Sequence, residues 1–271
     1  MTVEAYAKVN LTLEVLGRRT DGFHEIRSVV QPISLSDTIE VEANSSGVVE
    51  SDSAYGEDDL AVKAALALRP DPSFGASLRV VKRIPSGGGL GGGSADAAAA
   101  LLALNSLWRL DRTVDELADV GARVGSDVPA LVLAQSGRRA VLMEGRGERV
   151  RFLEEGECPC LSRVLSGWLV LANPGVSSST AEVYARSAPR SPSETARCPE
   201  MVRNDLQRPA CELHPEIAVA LSDLAAAGAE DVMMSGSGAT VFGLAADSES
   251  ARRIRAEMEK HGYATWSVRT L

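Results

Sequence analysis

An α+β fold in two parts is predicted by three observations. Apolar and polar residues alternate through the first 45 residues in the manner of strands, blocks with helical spacing interrupt later strand-like runs, and several neighbouring runs are joined by hairpin-like turns. At 271 residues the chain can bury a substantial core, and 45% hydrophobic with 24% charged residues marks an ordinary globular composition.

The elements follow in order. Ala5, Ala7, Val9, Leu11, Leu13 and Val15 are expected to share one face of a first strand, and a second strand set covers about residues 26–41. Between them, the Arg-Arg-Thr-Asp-Gly of GRRTDGFHEI carries turn chemistry. Residues 44–59, NSSGVVESDSAYGEDD, read as a polar surface loop. LAVKAALAL then has the spacing of a helix and ASLRVVKRIP that of a strand. The alanine-leucine stretch that follows predicts a helix of about 13 residues, about 20 Å long, beginning near Ser94.

Thr113 with Glu116 three residues on has capping-box spacing, and its helix is expected to end near Gly125. RRAVLMEGRGERVRF predicts a strand pair turning at its glycines. Periodicity is lost from Glu154 to Gly167, where Pro, Cys, Gly and Ser gather. The domain junction is placed there, dividing the chain into an N-terminal domain over 1–156 and a C-terminal domain over 157–271. WLVLANPG reads as a buried strand, SSSTAEVYARS as a capped helix, and SAPRSPSETARC (187–198) as a mobile surface loop. Helix PEIAVALSDLAAAGA, strand DVMM, loop SGSGA, strand TVFGLA, a charged helix over 249–261 and strand ATWSVRTL complete the chain, without an internal repeat.

Composition excludes several classes of function. A formal net charge of −9 leaves no broad basic field, so neither nucleic acid nor a membrane surface is an expected partner, and any phosphate site must be local. The opening MTVEAYAKVNLTLEVLGRR lacks the build of a secretory leader and no run approaches 18 apolar residues, so a cytoplasmic protein is expected, with no obligate protein partner evident. Cys158, Cys160, Cys198 and Cys211 do not make a disulfide framework in a chain this long, and three dispersed histidines do not suggest a protein-only zinc site.

The chemically informative stretch is IPSGGGLGGGSADAAAALLALN (84–105), with six glycines between Gly87 and Gly93. A flexible connector would sit in polar surroundings, whereas this loop lies between a strand and an apolar helix. A Walker A loop needs a Gly-Lys-Ser/Thr that is absent here. Gly87-x-Gly89-x-x-Gly92 matches the dinucleotide pattern, but the acid about 20 residues on that a Rossmann unit places after a second strand is here Asp111, in a turn between helices. What remains is a backbone that can approach an anion closely, followed by a helix whose first amides and positive dipole end favour phosphate. A nucleotide triphosphate is the expected guest. Ser94 either caps that helix or lends its hydroxyl to phosphate or Mg²⁺.

PSGGGLGGGSADAA, residues 85–98, resembles the phosphate loop of the GHMP small-molecule kinases. Together with AYAKVNLTLEVLGRRTDGFHEI, GSDVP and MSGSGATVFG, which run in order from residue 5 to residue 243, it is most similar to the branch that phosphorylates the 2-hydroxyl of a cytidine diphosphate-linked methylerythritol in the non-mevalonate isoprenoid pathway. The resemblance implies a ribosomal-protein-S5-like N-terminal half, a ferredoxin-like C-terminal half, ATP with Mg²⁺, and a small cytidine diphosphate substrate. It places the ATP phosphates on Pro85, Ser86, Gly87, Gly88, Gly89, Leu90, Gly91, Gly92, Gly93, Ser94 and Ala95.

Phosphoryl transfer needs its oxygens held in line, charge spread, and a proton removed from the attacking hydroxyl. Asp127, beside Gly125 and Pro129, is either an ordinary turn residue or a general base, and the resemblance implies the second, paired with Lys8. Lys8 lies between Ala7 and Val9, where an ammonium either stabilises a transferring phosphoryl group or extends to solvent along its stem. Asn10 shares its face and is a candidate for substrate binding.

The resemblance also puts Phe23 and His24 at the cytidine, one stacking and one bonding the base edge, with Thr180 and Tyr184 on the opposite side. Alone, the latter two read as an N-cap and a core aromatic. Gly236 to Gly238 either close the site with amides or simply turn between strands. The sequence departs from the family in Phe23 for Tyr, Tyr184 for Phe, Ala95 for Ser and Asp59 for Asn. A homoserine- or mevalonate-type kinase is the alternative, sharing loop and base without the cytidine clamp. A nucleotide sensor or RNA-binding module is the rival from another class, and acidic charge argues against RNA.

Overall fold

Strands β1 (Thr2–Arg18) and β2 (His24–Asn44) form a long antiparallel ribbon joined by the turn at residues 19–23. The computed structural model describes residues 1–53, 56–188 and 203–271. Bulges break the ribbon between Tyr6 and Lys8, Asn10 and Thr12, and Val15 and Gly17. An extra residue in one strand turns the following side chains to the opposite face. This corrects the single-face expectation: Ala5, Ala7, Val9 and Leu11 enter one hydrophobic core, while Leu13 and Val15 enter another. Lys8, Asn10, Thr12 and Glu14 are buried as well, so β1 is covered on both sides.

The polar stretch 44–59 contains a short edge strand, β3 (Val49–Ser51), parallel to β4 (Gly75–Val81). Between them α1 (Leu60–Leu68) is capped by Asp59, whose carboxylate accepts from the Ala61 N–H at 2.8 Å. Helix α2 starts at Gly92 rather than near Ser94 and runs to Leu107. Its run of alanines, buried from Ala97 to Ala100, lets it lie close against α1 and the β1–β2 ribbon. The capping box at Thr113 and Glu116 is formed, but α3 (Val114–Gly121) stops before Gly125, and a second helix, α4 (Val128–Gly137), begins beyond it. Strands β5 (Val141–Gly145) and β6 (Arg149–Phe152) pair as a hairpin, β5 lying along the first half of β2 while β4 lies along the second. The first sheet has the order β3-β4-β2-β1-β8, with β5 paired to β2, β6 paired to β5, and β8 being Arg203–Asn204.

After a 3₁₀ turn at Pro159–Leu161 and a single helical turn, α5 (Ser162–Leu165), the second sheet begins. It is built from β7 (Trp168–Asn173), β9 (Glu230–Met234), β10 (Val241–Ala245) and β11 (Ala264–Arg269). Helices α6 (Thr180–Arg186), α7 (Gln207–Leu213) and α8 (Pro215–Ala226) lie in the crossover from β7 to β9, and α9 (Ser248–Lys260) in that from β10 to β11. The antiparallel order β11-β7-β10-β9 is that of a ferredoxin-like split β-α-β unit. The two sheets are joined by β8, which pairs in parallel with β1, and by the chain end, where the Leu271 N–H donates to Pro32 O at 3.1 Å. Most of the loop expected over 187–198, together with Cys198, lies outside the described residues. Among the described residues no helix is long and apolar enough to cross a membrane, and Cys211 is a free thiol.

Candidate active site

The glycine loop is held by its carbonyls. Leu90 O accepts from the Lys8 N–H at 3.0 Å, Gly89 O from the Ser235 hydroxyl at 2.9 Å, and Gly88 O from the Thr240 N–H at 3.2 Å. With the oxygens turned into the protein, the amides of the following helix are left for a ligand. Gly91 is the N-cap of α2, in the left-handed region at φ 69°, and has no side chain to satisfy the first-turn N–H groups. Those groups and the dipole end form an anion site. Ser94 is therefore in the first turn and not the cap, its hydroxyl 3.9 Å from where a Cβ would stand on Gly125.

The loop lies between two cavities. The larger, about 390 Å³, is bounded by Asp59, Lys82, Ile84, Asp96 and the loop from Pro85 to Ser94. The smaller, about 180 Å³, is lined by Lys8, Asn10, Asp127, Thr180, Tyr184 and Gly236 to Gly238. Gly87, Gly89 and Gly91 line both. A phosphate on those amides is thus in reach of groups in either space.

In the smaller cavity, Lys8 Nζ stands 3.3 Å from Asp127 Oδ2 and donates to Asn10 Oδ1 at 2.5 Å. The lysine side chain is 4% exposed and the aspartate 35%, so the ammonium is fixed while the carboxylate opens to the cavity. Asp127 occupies the N-cap position of α4 but makes no side-chain capping bond, which leaves both oxygens to the site. Asn10 donates in turn to Ser28 Oγ at 2.8 Å, so its amide orients Lys8 within the protein. Bond spacing along β1 placed Lys8 and Asn10 on one face. Their burial comes from the Ser235–Thr240 turn packed over them, where a Cβ on Gly236 would lie 3.3 Å from Lys8 Nζ.

The aromatic residues are arranged otherwise than a simple sandwich. His24 stacks on Tyr184 with ring centroids 5.0 Å apart, whereas Phe23 is 48% exposed with the Arg146 guanidinium over its ring at 5.1 Å. Burial, with the Arg18 charge second, holds the His24 imidazole below its ordinary pKa. Burial and then the Asp127 charge raise that of the Tyr184 phenol. Thr180, the first residue of α6, exchanges a hydrogen bond with the Ser237 hydroxyl at 2.8 Å, and the capping falls to Ser179. Arg19 is engaged by Asp21, Glu25 and Glu148 at the turn that carries Phe23.

Asn173 and Asn204 were not anticipated from the sequence, and Ser235 and Thr240 were read only as part of MSGSGATVFG, without a role. Asn204 donates to the carbonyls of Met234 and Gly236 at 2.8 and 2.7 Å and fixes the Ser235–Thr240 turn. Asn173 donates to Thr240 Oγ1 at 3.0 Å. Asn173 and Asn204 are isolated polar residues in the sequence, and only the fold reveals that they converge on this turn. Among the described residues no group of three or more His, Cys, Asp or Glu could hold a metal ion.

This architecture and site define a small-molecule kinase, and the chain belongs to the GHMP kinases: the N-terminal domain of that family matches residues 59–135 and its C-terminal domain residues 197–264. Over its whole length it is similar to proteins named 4-diphosphocytidyl-2-C-methyl-D-erythritol kinase. One from Citrifermentans bemidjiense is 39% identical, with 98% of each chain covered. The crystal structure of a 4-(cytidine 5'-diphospho)-2C-methyl-D-erythritol kinase superposes with a TM-score of 0.81 at 35% identity, covering 100% of this chain and 99% of that one. A homoserine kinase from Cytophaga hutchinsonii shares the fold, with a TM-score of 0.73 at 18% identity over 100% of this chain and 94% of its own.

Proposed function

We propose that the protein transfers the terminal phosphoryl group of ATP to the 2-hydroxyl of 4-diphosphocytidyl-2-C-methyl-D-erythritol. The observation that carries the reading is the glycine loop standing between two cavities, one sized for a nucleotide and the other containing the Lys8–Asp127 pair. Full-length relatives of this name favour this acceptor over homoserine or mevalonate.

In this reading the ATP phosphates lie on the amides from Ser86 to Ala95, with the terminal phosphate facing the smaller cavity. The acceptor hydroxyl attacks phosphorus as Asp127 takes its proton, the bond to the β-phosphate oxygen breaks, and ADP is the leaving group. Lys8, held by Asn10, offers fixed positive charge where negative charge spreads in the transition state. Phe23, His24, Thr180 and Tyr184 recognise the cytidine end, with His24 neutral and able both to donate and to accept. The halves 1–156 and 157–271 act as nucleotide-binding and substrate-closing domains, meeting at the Ser235–Thr240 turn.

Mg²⁺ carried by a nucleotide needs only one or two protein oxygens, which fits a chain in which no group of three or more His, Cys, Asp or Glu among the described residues could hold a metal ion. Ser94, in the first turn of α2, would hold it, and the ion would neutralise phosphate charge when bound.

The test is ADP release from ATP with this acceptor, homoserine and mevalonate side by side. Turnover of the cytidine substrate alone is expected. Turnover of only one of the others removes the cytidine reading while leaving a kinase.

A further inference from the structure

The two ends of the glycine loop are joined by a bridge outside the transfer site. Lys82 lies where β4 gives way to the loop, and Asp96 sits just past the loop in α2. Lys82 Nζ donates to Asp96 Oδ2 at 2.7 Å and to Asp37 Oδ2 at 2.5 Å. Asp37, on β2 and fully buried, uses its second oxygen to accept from the backbone N–H groups of Arg83 and Ile84, at 2.5 and 2.8 Å. A Cβ on Gly92 would stand 3.0 Å from Ile84 Cγ2 and 3.4 Å from Lys82 Nζ, so the segments before and after the loop touch at the bridge.

Between these pinned ends the loop is rich in glycine, the residue that loses most conformational freedom when ordered. An anion site made of amides binds well only if they are aimed before the ligand arrives. Closing the ends removes conformations that a free loop would sample. A buried ion pair seldom adds net stability, because desolvation offsets its attraction, so fixing a single arrangement is the better account of this one. Neither Lys82 nor Asp96 lines the smaller cavity.

We infer that the Asp37–Lys82–Asp96 bridge is a positioning device that presets the phosphate loop and thereby sets the affinity for ATP without acting on the acceptor. The inference rests on the reading of the loop as the ATP site.

Asp96→Ala in the full chain cuts the bridge on one side while Lys82 stays paired with Asp37, so no buried lysine is left alone. The expected result is a KM for ATP raised about tenfold, in line with loss of one charged hydrogen bond, with the KM for the acceptor within about twofold. Hydrogen exchange at the Gly87–Gly93 amides of the ligand-free protein is expected to speed up. Asp96→Asn, which keeps an acceptor for Lys82, is expected to restore both readings most of the way.

If Lys82 instead served only to grip the nucleotide, freeing it would leave the KM for ATP unchanged or lower it, with exchange unaltered, and either result overturns the inference. Equal loss of kcat, both KM values and thermal stability, unrescued by Asn, would make the bridge merely structural and also overturns it. Should the protein lack kinase activity altogether, the proposed function fails, while the exchange measurement still decides whether the bridge orders the loop.

Discussion

Lys8 Nζ and Asp127 Oδ2 stand 3.3 Å apart, one carried by the first strand and the other by the N-cap of the fourth helix. Nothing local in either segment calls for the other, and the pairing exists because α2 and α4 pack side by side on the β1–β2 ribbon. If Asp127 is the base, Asp127→Asn keeps shape and one acceptor for Lys8 but cannot take a proton. Turnover is expected to fall by about 10²–10⁴-fold, with ATP binding changed by no more than about threefold. Single-turnover kinetics and nucleotide titration check this, and equal turnover in the two proteins would remove Asp127 from the chemistry.

Gly89 and Gly87 both have positive φ, 74° and 68°, but their surroundings differ. A Cβ on Gly89 would lie 2.2 Å from Ser235 O, whereas nothing stands nearer than 3.9 Å to one on Gly87. Gly87→Ala therefore carries only the left-handed penalty of about 1–2 kcal/mol. Gly89→Ala adds an overpacking cost of about 1–3 kcal/mol and pushes the loop away from the turn that covers Lys8. The melting temperature should drop by roughly 2–4 °C per kcal/mol in a chain of this size, further in Gly89→Ala than in Gly87→Ala. Equal drops would mean that the loop does not rest on Ser235 as described.

The fold class was legible because strand alternation, helical spacing and the Thr113–Glu116 cap are local. The bulges of β1 were not, since a period of two carries no mark of where it slips, and so Leu13 and Val15 were placed on one face with Ala5, Ala7, Val9 and Leu11 although they enter the other core. The start of α2 was misplaced at Ser94 because glycine is a poor helix former, and the N-terminal turn tolerates it only when tertiary contacts hold the loop. The candidate site residues were read from motifs. Their partners, such as Asn204 under the Ser235–Thr240 turn, are isolated polar residues whose burial follows from topology.

His24 gives a pH prediction. Its pKa in the fold is lowered, first by burial and then by Arg18, so the charged form is disfavoured there. Stability from the neutral ring is present above the unfolded value, about 6.5, and is lost as pH falls through the lower folded value. Recognition of a cytidine edge by neutral His24 should therefore persist below pH 6.5. Arg18→Gln relieves the second cause and should move the loss of acceptor affinity to higher pH. Titration of the His24 ring by NMR in both proteins measures it, and an inflection above 6.5 in the wild type would contradict the burial argument.

Asp96 behaves in the opposite sense. Its carboxyl is raised to about 7, chiefly by burial, against the pull of Lys82 and with Asp37 adding to the rise. The unfolded chain releases this proton near pH 4 while the folded chain keeps it, so stability declines as pH climbs from about 4 to about 7 and stays at the lower level beyond. Asp96→Asn carries no such charge. It should melt with the wild type near pH 4.5 and on the order of a few degrees above it at pH 8, even where its KM for ATP is no better. Stability and nucleotide affinity would then move separately at one residue, as expected when a buried charge orders a loop at a cost in desolvation. Scanning calorimetry at pH 4.5, 6 and 8 decides the matter, and a variant less stable than wild type at every pH would show that the Lys82 pairing outweighs burial.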